Sequence, residues 1–188
     1  MVHLHRIYTR SGDAGETGLG NGTRVSKTSP RIVAMAAIDE ANATIGVAAA
    51  GSSDPSLNTT LAALQNDLFE IGAEICLPEA PPRINPEHIA LIEEQIDAAT
   101  ARRPPLRSFI LPGGTPTAAA LHLARTITRR AEIETLRLAA TEPINPQTAI
   151  YLNRLSDLLF ALARFANPAD GVEPQWKPSH RAADEESR

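Results

Sequence analysis

Five times along this chain a residue able to cap a helix stands directly before a proline: Ser29-Pro30, Asp54-Pro55, Asn85-Pro86, Thr115-Pro116 and Asn145-Pro146. A Ser, Thr, Asp or Asn side chain accepts a hydrogen bond from the first helical turn, and proline at the first position lacks an N–H that would go unsatisfied there. Five helices are predicted. The second, over 55–76, shows the pattern most plainly, because Leu57, Leu61, Leu64, Leu68, Ile71 and Ile75 recur at alternating spacings of four and three, the seam of a helix bundle. The first, over 30–50, is rich in alanine and stops at Gly51; the third, over 86–102, sets Ile89, Ile92 and Ile96 opposite Glu93, Glu94 and Asp97, a face turned to water. The fourth, over 116–140, packs through Leu121, Ala124, Ile127, Ala131 and Leu138, and the fifth, over 146–166, buries Ile150, Leu155, Leu159 and Leu162. The segments do not repeat side chain for side chain. The pattern therefore predicts an all-α, up-and-down five-helix bundle and not a solenoid.

Polar residues interrupt these faces at helical spacing. Asp39, Asn42 and Gly46 share one face of the first helix, either a wet stripe or a polar site between helices. On the fourth, His122, Arg125, Arg129 and Glu132 follow one another at three, four and three residues, with Arg130 beside them. Guanidinium groups one turn apart suit an anion; the same stripe also reads as a solvated surface with Arg129 paired to Glu132. Asn153 and Asp157 line up in the same way on the fifth helix. Residues 103–116, RPPLRSFILPGGTP, cannot be helical, yet they carry Phe109, Ile110 and Leu111, so this apolar loop either docks on the bundle or grips a ligand.

Before the first helix, residues 8–27 hold five of the chain's eleven glycines: Gly12, Gly15, Gly18, Gly20 and Gly22. Glycines at that density allow positive φ, and Thr9, Ser11, Asp13 and Thr17 can bond to nearby backbone, so successive N–H groups can converge on an anion. Arg10, Arg24 and Lys27 flank the stretch. Its order matches neither GxxxxGK[ST] nor GxGxxG, and spacing alone fits a phosphate loop or a flexible N-terminal arm.

Composition narrows the classes. A chain of 188 residues is most simply one domain, expected over 1–168, with a polar tail over 169–188 anchored only by Trp176. The formal charge of −4 and the lack of a long basic run argue against nucleic acid as the main partner. The lone Cys76 reads as a small core residue, and His3, His5, His88, His122 and His180 never cluster with carboxylates at ligand spacing, so no protein-held metal is expected. No signal-peptide pattern or run of about 18 apolar residues appears, so a cytoplasmic protein without membrane attachment is expected.

Four stretches in order, TRSGDAGETGLGNGTRVSK, IDEANATIG, FILPGG followed by ARTITRRAE, and YLNRLSDLLFALAR, resemble the PduO-type ATP:cob(I)alamin (corrinoid) adenosyltransferase family. The resemblance implies a trimer of five-helix bundles with active sites between adjacent subunits. It implies that Thr9, Arg10, Ser11, Gly12, Thr17, Gly18 and Lys27 bind ATP, joined by Arg129, Arg130 and Glu132 of the fourth helix and Asn153 of the fifth. It further implies a salt bridge across the subunit boundary between Asp39 and Arg125, and an aromatic residue, Phe109, under the corrin ring. Where many members have lysine after Gly-Asp this chain has Ala14; where many have RRAER it has Ile133; a usual glycine before Asp-Glu is Ala36.

The implied chemistry is attack of Co(I) on the 5′ carbon of ATP, with release of triphosphate. Cobalt is the nucleophile, which agrees with a polar stripe offering arginine, lysine and amides but no Ser/His/Asp set. ATP is co-substrate, Mg²⁺ its expected counter-ion and cobalamin the substrate; a reductase and a client enzyme are the further partners implied. A di-metal carboxylate bundle is the rival within the same fold, but no helix carries a Glu-x-x-His pair. The other rival is a nucleotide-binding or corrinoid-carrier protein without turnover.

Overall fold

The computed structural model describes residues 8–106, 108–168 and 173–177. The expectations for His3 and His5, and for most of the tail, lie outside these residues. Five helices begin at the five prolines: α1 (Pro30–Ala50), α2 (Pro55–Cys76), α3 (Pro86–Thr100), α4 (Pro116–Ala139) and α5 (Pro146–Phe165). The caps act as the residue types require. Asp54 accepts from the amides of Ser56 and Leu57 at 2.8 and 3.2 Å, Thr115 from Ala118 at 3.1 Å and Asn145 from Gln147 at 3.1 Å. Asn85 accepts from Glu87 and His88, and the His88 ring returns to the Asn85 amide, closing a capping box. Ser29 is the exception, for its hydroxyl is buried without a hydrogen bond. Three helices end one or two residues before their expected ends at 102, 140 and 166, the ordinary range over which helix ends fray.

Helix α1 packs on α2 and α4, α4 on α5, and α5 on α3. Alanines at the α1–α4 contact (Ala34, Ala37, Ala41, Ala124, Ala131) bring those two axes close, while Leu61, Leu64, Leu68, Ile71, Leu155 and Leu159 fill the wider spaces. Among the described residues α1 alone is long and apolar enough to cross a membrane, with a mean hydropathy of 1.4. Its apolar face is spent on the bundle. On α5 a core expectation fails: Ile150 is exposed and Tyr151 and Leu152 are buried in its place. Ile150 lies three and seven residues before Asn153 and Asp157, on the outward face of α5 that they occupy.

Buried polar groups fasten one end of the bundle. Glu74 accepts from the amides of Arg83 and Ile84 at 2.6 and 3.3 Å, from Asn145 Nδ2 at 3.2 Å and from Thr148 Oγ1 at 2.9 Å, tying α2, the 77–85 connector and α5 together. Beside it the buried Arg31 donates to the carbonyl of Ile75 and to Glu142, at 2.5 and 2.6 Å. Satisfied in this way, buried charges fix geometry even where their net stabilisation is small.

Candidate active site

The glycine-rich stretch is a built loop. Two three-residue strands, β1 (Glu16–Gly18) and β2 (Arg24–Ser26), pair antiparallel with Thr17 opposite Val25. Sequence reasoning missed this hairpin, although Asn21-Gly22 is the dipeptide that favours such turns, and Gly22 takes φ 85°. The hairpin tip docks on the end of α2, where the Gly20 amide donates to the Cys76 carbonyl at 3.1 Å. Glycine suits that approach, for a Cβ on residue 20 would lie 2.6 Å from Leu77 Cδ2 and the leucine would have to shift. At the other end Arg24 donates to the Ser11 carbonyl at 2.7 Å, and the Lys27 amide to the Gly15 carbonyl at 2.9 Å.

Held at both ends, residues 10–15 form a tight turn with Arg10 at φ 60° and Gly15 at φ 86°. The amides of Asp13 and Gly15 are used inside the turn, whereas those of Ser11, Gly12 and Ala14 have no acceptor among the described residues. The Lys27 ammonium lies against Gly12, so close that a Cβ there would be 2.9 Å from Nζ. Thr9 and Ser11 bond to each other through their hydroxyls at 2.8 Å. Amides without acceptors, two hydroxyls and an ammonium without an ion pair thus gather at one turn, the kinds of group that hold an anion.

The fourth-helix stripe resolves into residues with different duties. Arg130 is drawn to Glu40 of α1. Glu132 does not pair with Arg129 but accepts from Asn153 Nδ2 at 3.1 Å; Asn153 Oδ1 accepts from Arg154, which also holds Glu93. Other cations are committed in this way: Arg24 to Glu16, Arg31 to Glu142, Arg83 to Glu70, Arg137 to Glu134 and Arg164 to Glu173. Lys27, Arg125 and Arg129 have no such partner among the described residues, and Arg125 Nε is enclosed without an acceptor. Burial, and then the charge of Arg129, lower Arg125 from the usual guanidinium range. An anion would relieve both.

Two separate cavities take in only part of this set, for Thr9, Arg10, Ser11, Gly12, Lys27, Arg129, Arg130, Glu132 and Asn153 line neither. One, of about 530 Å³, lies between the hairpin, α1 and α2 and is lined by Thr17, Gly18, Ala36, Asp39, Asn42 and Phe69 among others. Asn42 is buried and bonded to Gln65 of α2, so it and Gly46, packed on Gln65, serve helix contact, while Asp39 stays exposed and unpaired. Cys76 also borders this cavity, only partly buried, and is not the core residue expected. The other cavity, of about 480 Å³, is lined by Phe109, Ile110, Pro112, His122, Arg125 and Phe160. Here Phe109 is 81% exposed. One chain does not bring Asp39 to Arg125. The departures Ala14 and Ile133 are both exposed.

His122, expected on the polar stripe, is buried at 2% exposure with its ring edge-on to Phe160. Burial, and then Arg125, hold its pKa below 6.5, with Glu173 opposing. The sign follows: the unfolded chain takes up this proton near pH 6.5 and the folded chain only at lower pH. Stability should therefore fall as pH drops below about 6.5, and His122→Gln should flatten that acid limb in thermal unfolding measured from about pH 7.5 to 5.5.

A glycine-rich loop with unused amides, cations without ion pairs and an apolar cavity bearing an exposed aromatic ring are thus carried by one helical bundle. The model of the cobalamin adenosyltransferase family matches residues 7–166, and the chain belongs to that family. It is 48% identical over 186 residues to a corrinoid adenosyltransferase of Mycobacterium tuberculosis, covering 94% of this chain and 95% of that one. A corrinoid adenosyltransferase of Bacillus subtilis is 42% identical over 173 residues, covering 89% of each. Among solved structures, a phenylalanine-to-alanine variant of a PduO-type ATP:corrinoid adenosyltransferase from Lactobacillus reuteri, complexed with cobalamin and ATP, superposes with a TM-score of 0.87 at 34% identity, over 92% of this chain and 100% of that chain.

Proposed function

We propose that this protein is an ATP:corrinoid adenosyltransferase, which transfers the 5′-deoxyadenosyl group of ATP to the Co(I) centre of a reduced corrinoid and releases triphosphate. The observation that carries the reading is the loop of free amides at Ser11, Gly12 and Ala14 with Lys27 against it, in a chain whose Arg125 and Arg129 are also left without partners. Thr9, Arg10, Ser11, Gly12, Thr17 and Gly18 bind the nucleotide; Lys27 and Arg129 neutralise the leaving triphosphate, and the amide–carboxylate pair Asn153–Glu132 orients the nucleoside end. Arg130, steadied by Glu40, borders the same site. Phe109 meets the lower face of the corrin ring.

Magnesium accompanies ATP in this reading. Among the described residues no three His, Cys, Asp or Glu side chains gather as a metal-binding group, and in this reading the ion is held by the nucleotide. Its ligands are phosphate oxygens and water. The enzyme works in the cytoplasm, receives its corrinoid from a reductase and passes the product to a client enzyme.

The assembly is a homotrimer with each site between two subunits. Asp39 and Arg125 in separate cavities of one chain, both unpaired, support this, as do the bare apolar side chains of Phe69, Leu123 and Leu136. Asp39 of one copy then pairs with Arg125 of the next. A double-mutant cycle of Asp39→Ala and Arg125→Ala should give a coupling energy in turnover of about 1–3 kcal/mol. Strict additivity, with the assembly intact by light scattering, would mean the two residues do not meet.

Incubating cob(I)alamin with ATP and following the adenosyl product by absorbance tests the activity itself. Stoichiometric binding of both ligands without product would leave a carrier protein of the same fold.

A further inference from the structure

Phe109 belongs to no helix or named strand, yet its main chain is held on both sides. The Phe109 carbonyl accepts from the Trp176 amide at 2.8 Å, and the Leu111 amide donates to the Pro174 carbonyl at 2.7 Å. Between them Ile110 stands opposite Gln175 in an antiparallel bridge, and Ser108 Oγ donates to the Trp176 carbonyl at 3.3 Å. Residues 173–177 therefore lie along 108–111 as a short ribbon. The Trp176 indole, expected to anchor the tail, is half exposed, and the hydrogen bonds of this residue to the loop are made by its main chain.

A ribbon this short does not persist in water on its own hydrogen bonds. What fixes it is Glu173. Arg164, near the end of α5 and 5% exposed, donates to the Glu173 carboxylate from Nε at 3.0 and 3.2 Å and from a terminal nitrogen at 3.0 Å. The same guanidinium donates to the Pro104 carbonyl at 3.0 Å. It thus grips both strands of the ribbon at their roots, one through the chain before Phe109 and the other through the chain after α5. The far side of the loop is pinned as well, for Asn167 Oδ1 accepts from the Thr115 amide at 3.0 Å, and only glycine fits at 114, where φ is 106° and a Cβ would be 2.1 Å from that oxygen. A planar, forked guanidinium sets both distance and angle, which a single ammonium would not.

We infer that the Arg164–Glu173 clamp positions Phe109 for the reaction, by holding residues 173–177 along the loop so that the ring is presented rigidly to the corrinoid. Arg164 and Glu173 touch no reacting group; they are positioning residues, and the inference rests on the proposed place of Phe109 at the lower face of the corrin ring. Within one chain Arg164 borders a cavity with Leu106 and Phe160, whereas the hairpin of the glycine-rich loop borders one on α1 and α2.

Glu173→Gln is the test, with Trp176→Pro as a second variant that removes the Phe109 hydrogen bond without disturbing the buried arginine. Amide hydrogen exchange at Leu111 should accelerate about tenfold or more in both, with helical content and ATP affinity unchanged. The absorbance signature of four-coordinate cob(II)alamin on the enzyme should weaken, and kcat with cobalamin should fall roughly tenfold to 10²-fold, the scale of a misplacement of about 1 Å. Cobinamide, which lacks the lower nucleotide ligand, should lose less, and Glu173→Asp should restore part of the signature. Unchanged exchange in Glu173→Gln would overturn the clamp. Faster exchange with an undiminished four-coordinate signature in either variant would overturn the positioning role. A wild-type protein that binds cob(II)alamin and ATP but makes no product would refute the proposed activity, while the exchange and the spectrum would still decide whether the clamp orders Phe109. If Glu173→Gln does not fold, the same two measurements on Trp176→Pro decide the matter.

Discussion

Arg129→Ala is expected to lower turnover by roughly 10²-fold or more, about 2.7 kcal/mol of lost transition-state stabilisation, the size of a preorganised donor removed from a site poor in water. Departure of triphosphate from C5′ builds negative charge on the leaving oxygen, and a cation already in place needs no rearrangement as that charge develops. Arg129 is suited to this because the fold does not use it. Arg130 one residue on is committed to Glu40, and the carboxylate one turn on, Glu132, is taken by Asn153, so Arg129 has no ion pair to break before meeting a phosphate. For the same reason the variant should fold: the side chain is exposed, nothing is left unpaired and alanine is the better helix former. Steady-state kinetics with saturating ATP, beside a thermal unfolding curve, give the result. Turnover within about threefold of wild type, less than 0.7 kcal/mol, would put Arg129 on an ordinary solvated face.

The helix starts were legible because their signal is local: a cap residue and a proline next to each other suffice. The ends were less so, since α3, α4 and α5 are followed by Ala101, Ala140 and Ala166 in ordinary right-handed conformation, and even Gly51 sits at φ −85° where other residues fit. The hairpin was hidden by its shortness, for strands of three residues have no period to read. On α4 spacing revealed which residues share a face but not which are paired; that depends on Glu40, ninety positions from Arg130, and on Asn153, twenty-one from Glu132. The Glu74 network and the Arg164–Glu173 clamp were invisible for the same reason. Asp39 and Arg125 are a further case, for the pairing proposed for them between copies came from the family resemblance and not from periodicity.

Phe109→Ala should abolish most turnover with cob(II)alamin reduced on the enzyme while leaving ATP affinity and assembly nearly unchanged. An axial ligand donates electron density to cobalt and stabilises the higher oxidation state, so a site that must produce Co(I) gains by excluding the lower ligand. An aromatic ring pressed to that face does so by occupying the space, provided it is held rigidly, because a ring that swings away readmits the nucleotide tail or water. In this chain the ring is 81% exposed and owes nothing to core packing, while the backbone that carries it is tied to residues 173–177 and followed by Pro112. Removing it should therefore cost little stability, unlike a core phenylalanine, whose loss costs about 3–5 kcal/mol. Cobinamide separates the explanations, since without a lower nucleotide there is less to exclude and its turnover should fall less. An equal fall with both corrinoids would mean that the ring merely seats the macrocycle. Weakened ATP binding, or a fall in thermal stability on the scale of a core deletion, would mean that Phe109 supports the bundle.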